Sequence, residues 1–443
     1  MHTELDPTPY RNRRARLIER MQHAGGGVAV IPTAPERTRN RDTHYPYRHD
    51  SYFHYLTGFG EPEAVLVLVA GAEPRTILFC RARDEAREIW DGLRFGPDAA
   101  RAHFALDEAH DIATLDSALP DLLADQPILW CGFGYDAEFD ARITRALTSV
   151  RAQARTGITP PHSLRDIRTE LDDMRLVKDA TELATMRRAA AISARAHRRA
   201  MQTTRPGRFE YEIEAELLHT FRSAGSQAPA YPSIVASGAN ACILHYIENQ
   251  RRMCDGELLL IDAGCELDGY ASDITRTFPV NGRFSAAQRD VYQIVLAAQD
   301  AAHDATRPGA HWNEAHEGAV RVLAQGMIDL GLLTGSLDSV LEQNSYRRFY
   351  MHRTGHWLGL DVHDAGDYKV DGHWRQLEPG MVMTIEPGLY IRPADDVPEA
   401  LWNIGVRIED NAIVTADGCE FITHDVPRDI DAIEALMRDG AHG

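Results

Sequence analysis

The same strand-like device occurs twice in this chain, as Gly256-Glu-Leu-Leu-Leu-Ile-Asp262-Ala-Gly264 and as Gly380-Met-Val-Met-Thr-Ile-Glu386-Pro-Gly388. Each copy is a glycine, five mostly apolar residues, an acid, one further residue and a second glycine. An apolar run this short, closed by glycine at both ends, reads as a buried strand that delivers a carboxylate at its end. Two copies predict a domain of two similar halves with a site shared between them.

A second acid follows each copy. In the first, Asp268-Gly269 is a two-residue hairpin signal, and Tyr270 to Phe278 is expected to return as the partner strand. A turn centred there sets Asp262 opposite Thr275 and makes Asp273 its diagonal neighbour on the same face. Diagonal pairs lie about 7–8 Å apart, close enough for two carboxylates to converge on one cation. Two acids on one buried face repel each other and are costly to desolvate unless a cation compensates them. Arg276 points to the other face under strand alternation and is not that cation. In the second copy, Gly405-Val-Arg-Ile-Glu409-Asp alternates, so Arg407 and Glu409 share a face and Glu409 gains a cationic neighbour.

A third cluster, His352-Arg-Thr-Gly-His356-Trp-Leu-Gly-Leu-Asp-Val-His363-Asp, holds three histidines interrupted by glycines, which is not a helical zinc motif. Beside four acids, one of these is a candidate metal ligand and the others are candidate acid/base or oxyanion groups. His245 is a further candidate. Four carboxylates and one histidine suit a pair of hard divalent ions such as Mn²⁺ better than a thiolate zinc site. Two ions sharing carboxylates hold a water, lower its pKa and polarise a carbonyl, so the implied chemistry is hydrolysis.

The 443 residues suit two domains, and a composition that is 44% hydrophobic allows substantial cores. The formal net charge of −19 argues against nonspecific binding to nucleic acid or anionic lipid. No apolar run approaches a membrane span, and the N-terminus lacks a signal-peptide pattern, so a cytoplasmic protein is expected. Cys80, Cys131, Cys242, Cys254, Cys265 and Cys419 form no CxxC pair and read as reduced thiols.

Residues 1–173 read as an α/β domain. A helix is expected from residue 7 to about 24, with strands at Val28–Pro32, Phe53–Thr57, Ala64–Ala70, Thr76–Cys80 and Ile128–Gly132. The segment from Arg37 to Tyr55 reads as a loop, and Trp90 as a core residue. After the linker Thr156-Gly-Ile-Thr-Pro-Pro-His-Ser, residues 174–443 carry helices ending near Thr203, at Glu210–Ser223, Ala286–Ala305 and Trp312–Leu330, interleaved with hairpins. That is an α+β arrangement.

The long motifs Tyr52-Phe-His-Tyr-Leu-Thr-Gly-Phe, Asp273-Ile-Thr-Arg-Thr-Phe-Pro-Val-Asn-Gly and His356-Trp-Leu-Gly-Leu-Asp-Val-His-Asp resemble the bacterial aminopeptidase P family, within the creatinase/prolidase/methionine aminopeptidase group. The resemblance implies a C-terminal pita-bread catalytic domain after a creatinase-like N-terminal domain. By the same resemblance Asp262 and Asp273 hold one ion, His356 and Glu386 the other, and Asp273 and Glu409 bridge both. Glu386 is also the expected proton shuttle for a bridging hydroxide. His245, His352 and His363 match outer histidines that meet substrate, while Arg407 and Tyr231 match groups just behind the ligands. The implied activity is hydrolysis of the N-terminal Xaa-Pro bond of peptides with proline at the second position, by a homo-oligomer (dimer or tetramer). Prolidase action on Xaa-Pro dipeptides is the alternative, and a metal-free creatinase-like hydrolase or inactive binding module is disfavoured because no ligand is lost. The segments Gln227–Tyr231 and Gly372–Arg375 depart from the family pattern and are expected to border the pocket.

Overall fold

In the computed structural model of the chain, residues 6–440 are described. They form two compact units, one ending at Met174 and one beginning at Arg175.

The first unit is a six-stranded mixed sheet in the order Glu108–Asp111, Arg75–Cys80, Val65–Val69, Val28–Pro32, Ile128–Trp130, Ser163–Arg165. Val28–Pro32 pairs antiparallel with Val65–Val69 and parallel with Ile128–Trp130. Every residue of Val65–Val69 is buried, because an interior strand covered on both faces needs no polar alternation. The expected helix forms as Thr8–His23.

Two expectations fail here. Phe53–Thr57 is not a strand but most of the helix Ser51–Thr57. Asp50 caps it by accepting from Phe53 N at 2.9 Å, and Gly58, at φ 66°, ends it in the left-handed region. Its side chains are buried all round, so no periodicity distinguished helix from strand. Trp90 is not in the core. It lies on Glu85–Asp91, a helix that buries none of its residues, and is 84% exposed, beside Ile89 and Leu93 at 82% and 76%. The segment after Arg37 includes an exposed two-stranded hairpin, Thr38–Asn40 with Thr43–His44.

The second unit is α+β and repeats one sequence of elements. Helices Ala180–Thr203 and Glu210–Ser223 pack together and precede the sheet of Ile234–Ser237, Leu258–Asp262 and Thr275–Pro279. Helices Ala286–Ala305 and Asn313–Asp329 pack together in turn and precede two further sheets. One joins Val382–Ile385, Asp410–Val414 and Cys419–Phe421; the other joins Gly388–Ile391 to Ile404–Arg407. Asp179 starts the first long helix through a reciprocal capping box with Glu182. An isolated bridge between Thr275 and Glu409 joins the two halves.

Behind that bridge, Arg276 points away from the acids, as alternation requires. Fully buried, it donates to Asp410 Oδ1 at 2.7 Å and to the carbonyls of Glu409 and Val426. Asp410 also accepts from Gln299 at 2.9 Å and Thr423 at 2.6 Å. All six cysteines are free. Among the described residues no helix is long and apolar enough to cross a membrane. Removing one partner of a buried, hydrogen-bonded ion pair strands the other charge, which costs about 3–5 kcal/mol. Asp410→Ala is therefore expected to lower the stability of the second unit by that amount, read from the shift in its chemical-denaturation midpoint.

Candidate active site

A cleft of about 1090 Å³ opens in the second unit, and its floor is where both repeated strands end. Asp262 closes Leu258–Asp262 and pairs with Thr275 in register. The turn enforces this, since Asp268 and Gly269 both have positive φ, at 50° and 84°, as a type I′ hairpin demands. The glycine after each acid is needed for close approach. A Cβ on Gly264 would fall 1.7 Å from Ser272 O, and one on Gly388 would fall 2.6 Å from Tyr390 Oη. Glu386 follows Val382–Ile385, with its N–H on Thr354 O at 2.8 Å. His356 is stitched to that strand by its own N–H, which donates to Thr384 Oγ1 at 3.1 Å.

Asp262, Asp273, His356, Glu386 and Glu409 all line this cleft. Ligand atoms of Asp273, His356 and Glu409 lie within 4.8 Å of one another. His356 Nε2 is 3.4 Å from Asp273 Oδ2 and 3.7 Å from Glu386 Oε1. Tyr231 Oη is 2.6 Å from Asp262 Oδ1 and also against Asp273, yet its one proton serves only one of them at a time. Arg407 donates to Asp262 Oδ2 at 2.6 Å, to Thr275 Oγ1 at 3.2 Å and to Tyr390 Oη at 3.0 Å. Thr275 in turn donates to Glu409 Oε2 at 2.6 Å. The guanidinium that alternation assigned to Glu409 thus ion-pairs with Asp262 and reaches Glu409 only through a hydroxyl.

Negative charge is in excess here. Burial pushes Glu386 up to about 7, with His356 and Arg407 opposing it. Glu409 is driven well above the carboxylate range by burial and by Asp273, and Asp262 is raised by burial against the pull of Arg407. Burial works against the charged form of His356, but Asp273 and Glu386 more than offset it and lift the imidazole to about 9. Asp273 is lowered, its burial outweighed by His356. Carboxylates crowded this way, with one guanidinium touching them, call for further positive charge. The donors fit divalent cations. They are carboxylate oxygens and an imidazole whose Nδ1 faces Trp357 O at 2.9 Å, so that Nε2 is turned toward the acids. Cys265 faces elsewhere, its thiol on Ala189 O at 3.4 Å.

The outer histidines also line the cleft. His245 and His363 are exposed. His363 meets His356 edge-on at 4.3 Å between ring centroids. Burial, followed by the Arg407 charge, lowers His352 to about 3. Its Nε2 is 2.8 Å from Tyr390 Oη and its Nδ1 is 2.7 Å from Arg353 O. Trp374, from the unfamiliar Gly372–Arg375 segment, borders the pocket, as do Tyr231 and the following Pro232.

The model of metallopeptidase family M24 matches residues 184–416. The chain belongs to that family. Residues 10–130 match the aminopeptidase P N-terminal domain. The M24 chain is 46% identical to the Xaa-Pro aminopeptidase of Escherichia coli, over 98% of both sequences. The solved aminopeptidase PepP of Pseudomonas aeruginosa is 50% identical, with a TM-score of 0.97 over 99% of this chain and all of that one. Zinc-substituted E. coli aminopeptidase P in complex with product is 46% identical, with a TM-score of 0.96 over 99% of each chain. The second unit therefore has the pita-bread fold, and this M24 member is a metallopeptidase of the aminopeptidase P branch.

Sequence reading missed several groups that hold this site in place. Tyr390 links Arg407 to His352, and Asn411 accepts from Asp273 N at 3.1 Å. Glu210 is the least expected. Fully buried at the start of Glu210–Ser223, it accepts from Ser237 N and Oγ (both 2.7 Å), Asn240 (3.2 Å), Tyr246 Oη (2.8 Å) and Arg251 N (2.8 Å). These donors bracket the loop that carries Leu244, His245 and Ile247 into the cleft. Glu210→Gln keeps the shape but replaces one acceptor oxygen by a donor, so a buried donor is left unmet at a cost of about 1–3 kcal/mol. Faster hydrogen–deuterium exchange confined to residues 237–251 is the expected result.

Proposed function

We propose that this metallopeptidase hydrolyses the peptide bond between an N-terminal residue and a following proline, using two divalent cations, Mn²⁺ by preference. The observation that carries the reading is the meeting of four carboxylates and one imidazole, drawn from both halves of the domain, on the floor of one cleft. The chain's relatives named Xaa-Pro aminopeptidase support it. In this reading the chemistry belongs to residues 174–443. Asp262 and Asp273 would hold one cation and His356 and Glu386 the other, with Asp273 and Glu409 available to both. Hard oxygen donors favour Mn²⁺ over thiophilic ions.

When bound, such ions lower the pKa of water and polarise the scissile carbonyl. The chain's own groups do the rest. Glu386 takes the proton of the attacking water on a carboxylate oxygen. It returns that proton to the proline nitrogen as the C–N bond breaks. His245 and His363, exposed on the cleft, are the donors for the carbonyl oxygen as negative charge grows on it. His352, engaged by Tyr390 and Arg353, instead orients the chain through Tyr390 to Arg407. Tyr231 and Arg407 keep Asp262 in place and share its charge.

Metal analysis of the purified protein is expected to show two divalent ions per chain. Asp273→Ala is expected to lose both ions and activity together while its circular dichroism stays unchanged; retention of one ion with full turnover would refute the shared role of Asp273. For the substrate, an Xaa-Pro-Yaa tripeptide is expected to be cleaved at least as well as the Xaa-Pro dipeptide with the same first residue. Cleavage of the dipeptide alone would make the enzyme a prolidase. Assembly into a dimer or tetramer belongs to the same reading, supported by the exposed apolar face of Ile89, Trp90 and Leu93. A monomeric sedimentation coefficient at micromolar concentration would count against it.

A further inference from the structure

Next to the catalytic cleft lies a second cavity of about 580 Å³ that the peptidase reading does not use. Arg321, Arg347 and Arg353 line it, together with His316. Arg353 lines the catalytic cleft as well, so one guanidinium forms a partition between the two spaces. It lies 5.1 Å from the ring centroid of Trp374 in the cleft and donates to Asn313 in the cavity. Arg321 and Arg347 make no side-chain hydrogen bond or ion pair among the described residues. Two carboxylates share the lining, one of them, Glu317, opposing the Arg353 charge, and the three guanidiniums outnumber them. Glu314 accepts from His311 N at 3.0 Å and faces Arg307 at 3.5 Å, and Glu317 accepts from Asn313.

Three guanidiniums and two carboxylates leave the lining with an excess of positive charge, which is out of keeping with a chain of net charge −19. Like charges in a partly enclosed space repel unless a counter-ion joins them. His316 registers the field: burial, then the charges of Arg353 and Arg347, push it down to about 4. Planar guanidinium forks match the oxygens of a tetrahedral oxyanion, and two or three of them favour a doubly charged one.

We propose that this cavity binds a doubly charged oxyanion of the phosphate class, as free phosphate or as a phosphomonoester, and that its occupancy is felt in the catalytic cleft through Arg353. The route is short. A guanidinium drawn toward the anion leaves Trp374 less well covered and loosens that cleft wall. A second link runs from His316 Nδ1 to Thr354 Oγ1 at 2.8 Å, with Thr354 O accepting from Glu386 N at 2.8 Å. The kinetic arm of the test below rests on the peptidase reading. The binding arm needs no turnover and stands or falls separately.

The probe is sulfate, added to the Mn²⁺-loaded enzyme at millimolar concentration against sodium chloride of equal ionic strength. Wild type is expected to gain about 1–2 °C in its unfolding midpoint with sulfate only. The double variant Arg321→Gln/Arg347→Gln is expected to lose that gain while its kcat/KM without anion stays within about two-fold of wild type, as residues outside the cleft should allow. Sulfate is expected to raise the KM for an Xaa-Pro-Yaa peptide at least about two-fold in wild type and not in the double variant. Glycerol phosphate and inorganic phosphate, titrated in turn, separate the sources: a larger shift with the ester identifies a phosphomonoester, and equal shifts identify the free ion. Equal effects of sulfate and chloride, or a sulfate gain that survives in the folded double variant and in Arg321→Gln alone, would overturn the site. Binding without any change in KM would overturn the coupling.

Discussion

Four carboxylates forced into one buried volume are the constraint around which the catalytic domain is built. The protein's own groups neutralise them only in part. Arg407 ion-pairs with Asp262, Thr275 hands one hydroxyl to Glu409, and Tyr231 has one proton for two acids. A fold that kept this arrangement without cations would carry several uncompensated charges, each costly in a dry interior. The upward drift of Asp262, Glu386, Glu409 and His356 describes one condition: the site is finished only when positive charge enters it.

The architecture supplies the acids from two directions. Asp262 and Asp273 come from the first half and Glu386 and Glu409 from the second, with the Thr275–Glu409 bridge as the seam. Directly behind the seam, Arg276 and Asp410 form a buried pair of opposite sign. The floor is therefore strand-borne and pinned by backbone register, which keeps the acids from drifting. The walls are different. They are loops held by single polar anchors: Glu210 for residues 237–251, and Asp364 for the histidine loop. Asp364 meets Arg175 and Lys178, the latter at 2.9 Å. A rigid floor with separately anchored walls lets chemistry and substrate fit be tuned apart.

Local chemistry made the floor legible in the sequence. Asp268-Gly269 admits one turn type, that turn fixes one register, and the register puts Thr275 opposite Asp262. The repeated glycines were visible as pattern, though their reason, the close approach of Ser272 O and Tyr390 Oη, exists only in three dimensions. What escaped was long-range. Alternation correctly put Arg407 on the face of Glu409 but could not show that Asp262, 145 residues away, takes its ion pair. Glu210 reads as an ordinary acid in a first helical turn, favoured there by the helix dipole. Its five donors lie 27 to 41 residues downstream, beyond any local window. Phe53–Thr57 failed because a segment buried all round loses its period, and Trp90 because an aromatic residue is assigned to the core by default.

The cleft also bears on why proline follows the scissile bond in the proposed substrate. Besides the acids of the floor and the histidines of the walls, Ile234, Leu244, Ile247 and Trp312 line it with apolar side chains. An ordinary residue seated against such a wall brings a backbone N–H that must find an acceptor or lose its hydration without return. Proline brings none, and its ring is apolar with φ already fixed. An apolar side chain therefore discriminates by omission: it offers no acceptor, and proline is the residue for which that omission costs nothing. Selectivity of this kind requires the wall to stay closed to water, which places the anchoring of residues 237–251 by Glu210 within the specificity of the enzyme as much as within its stability.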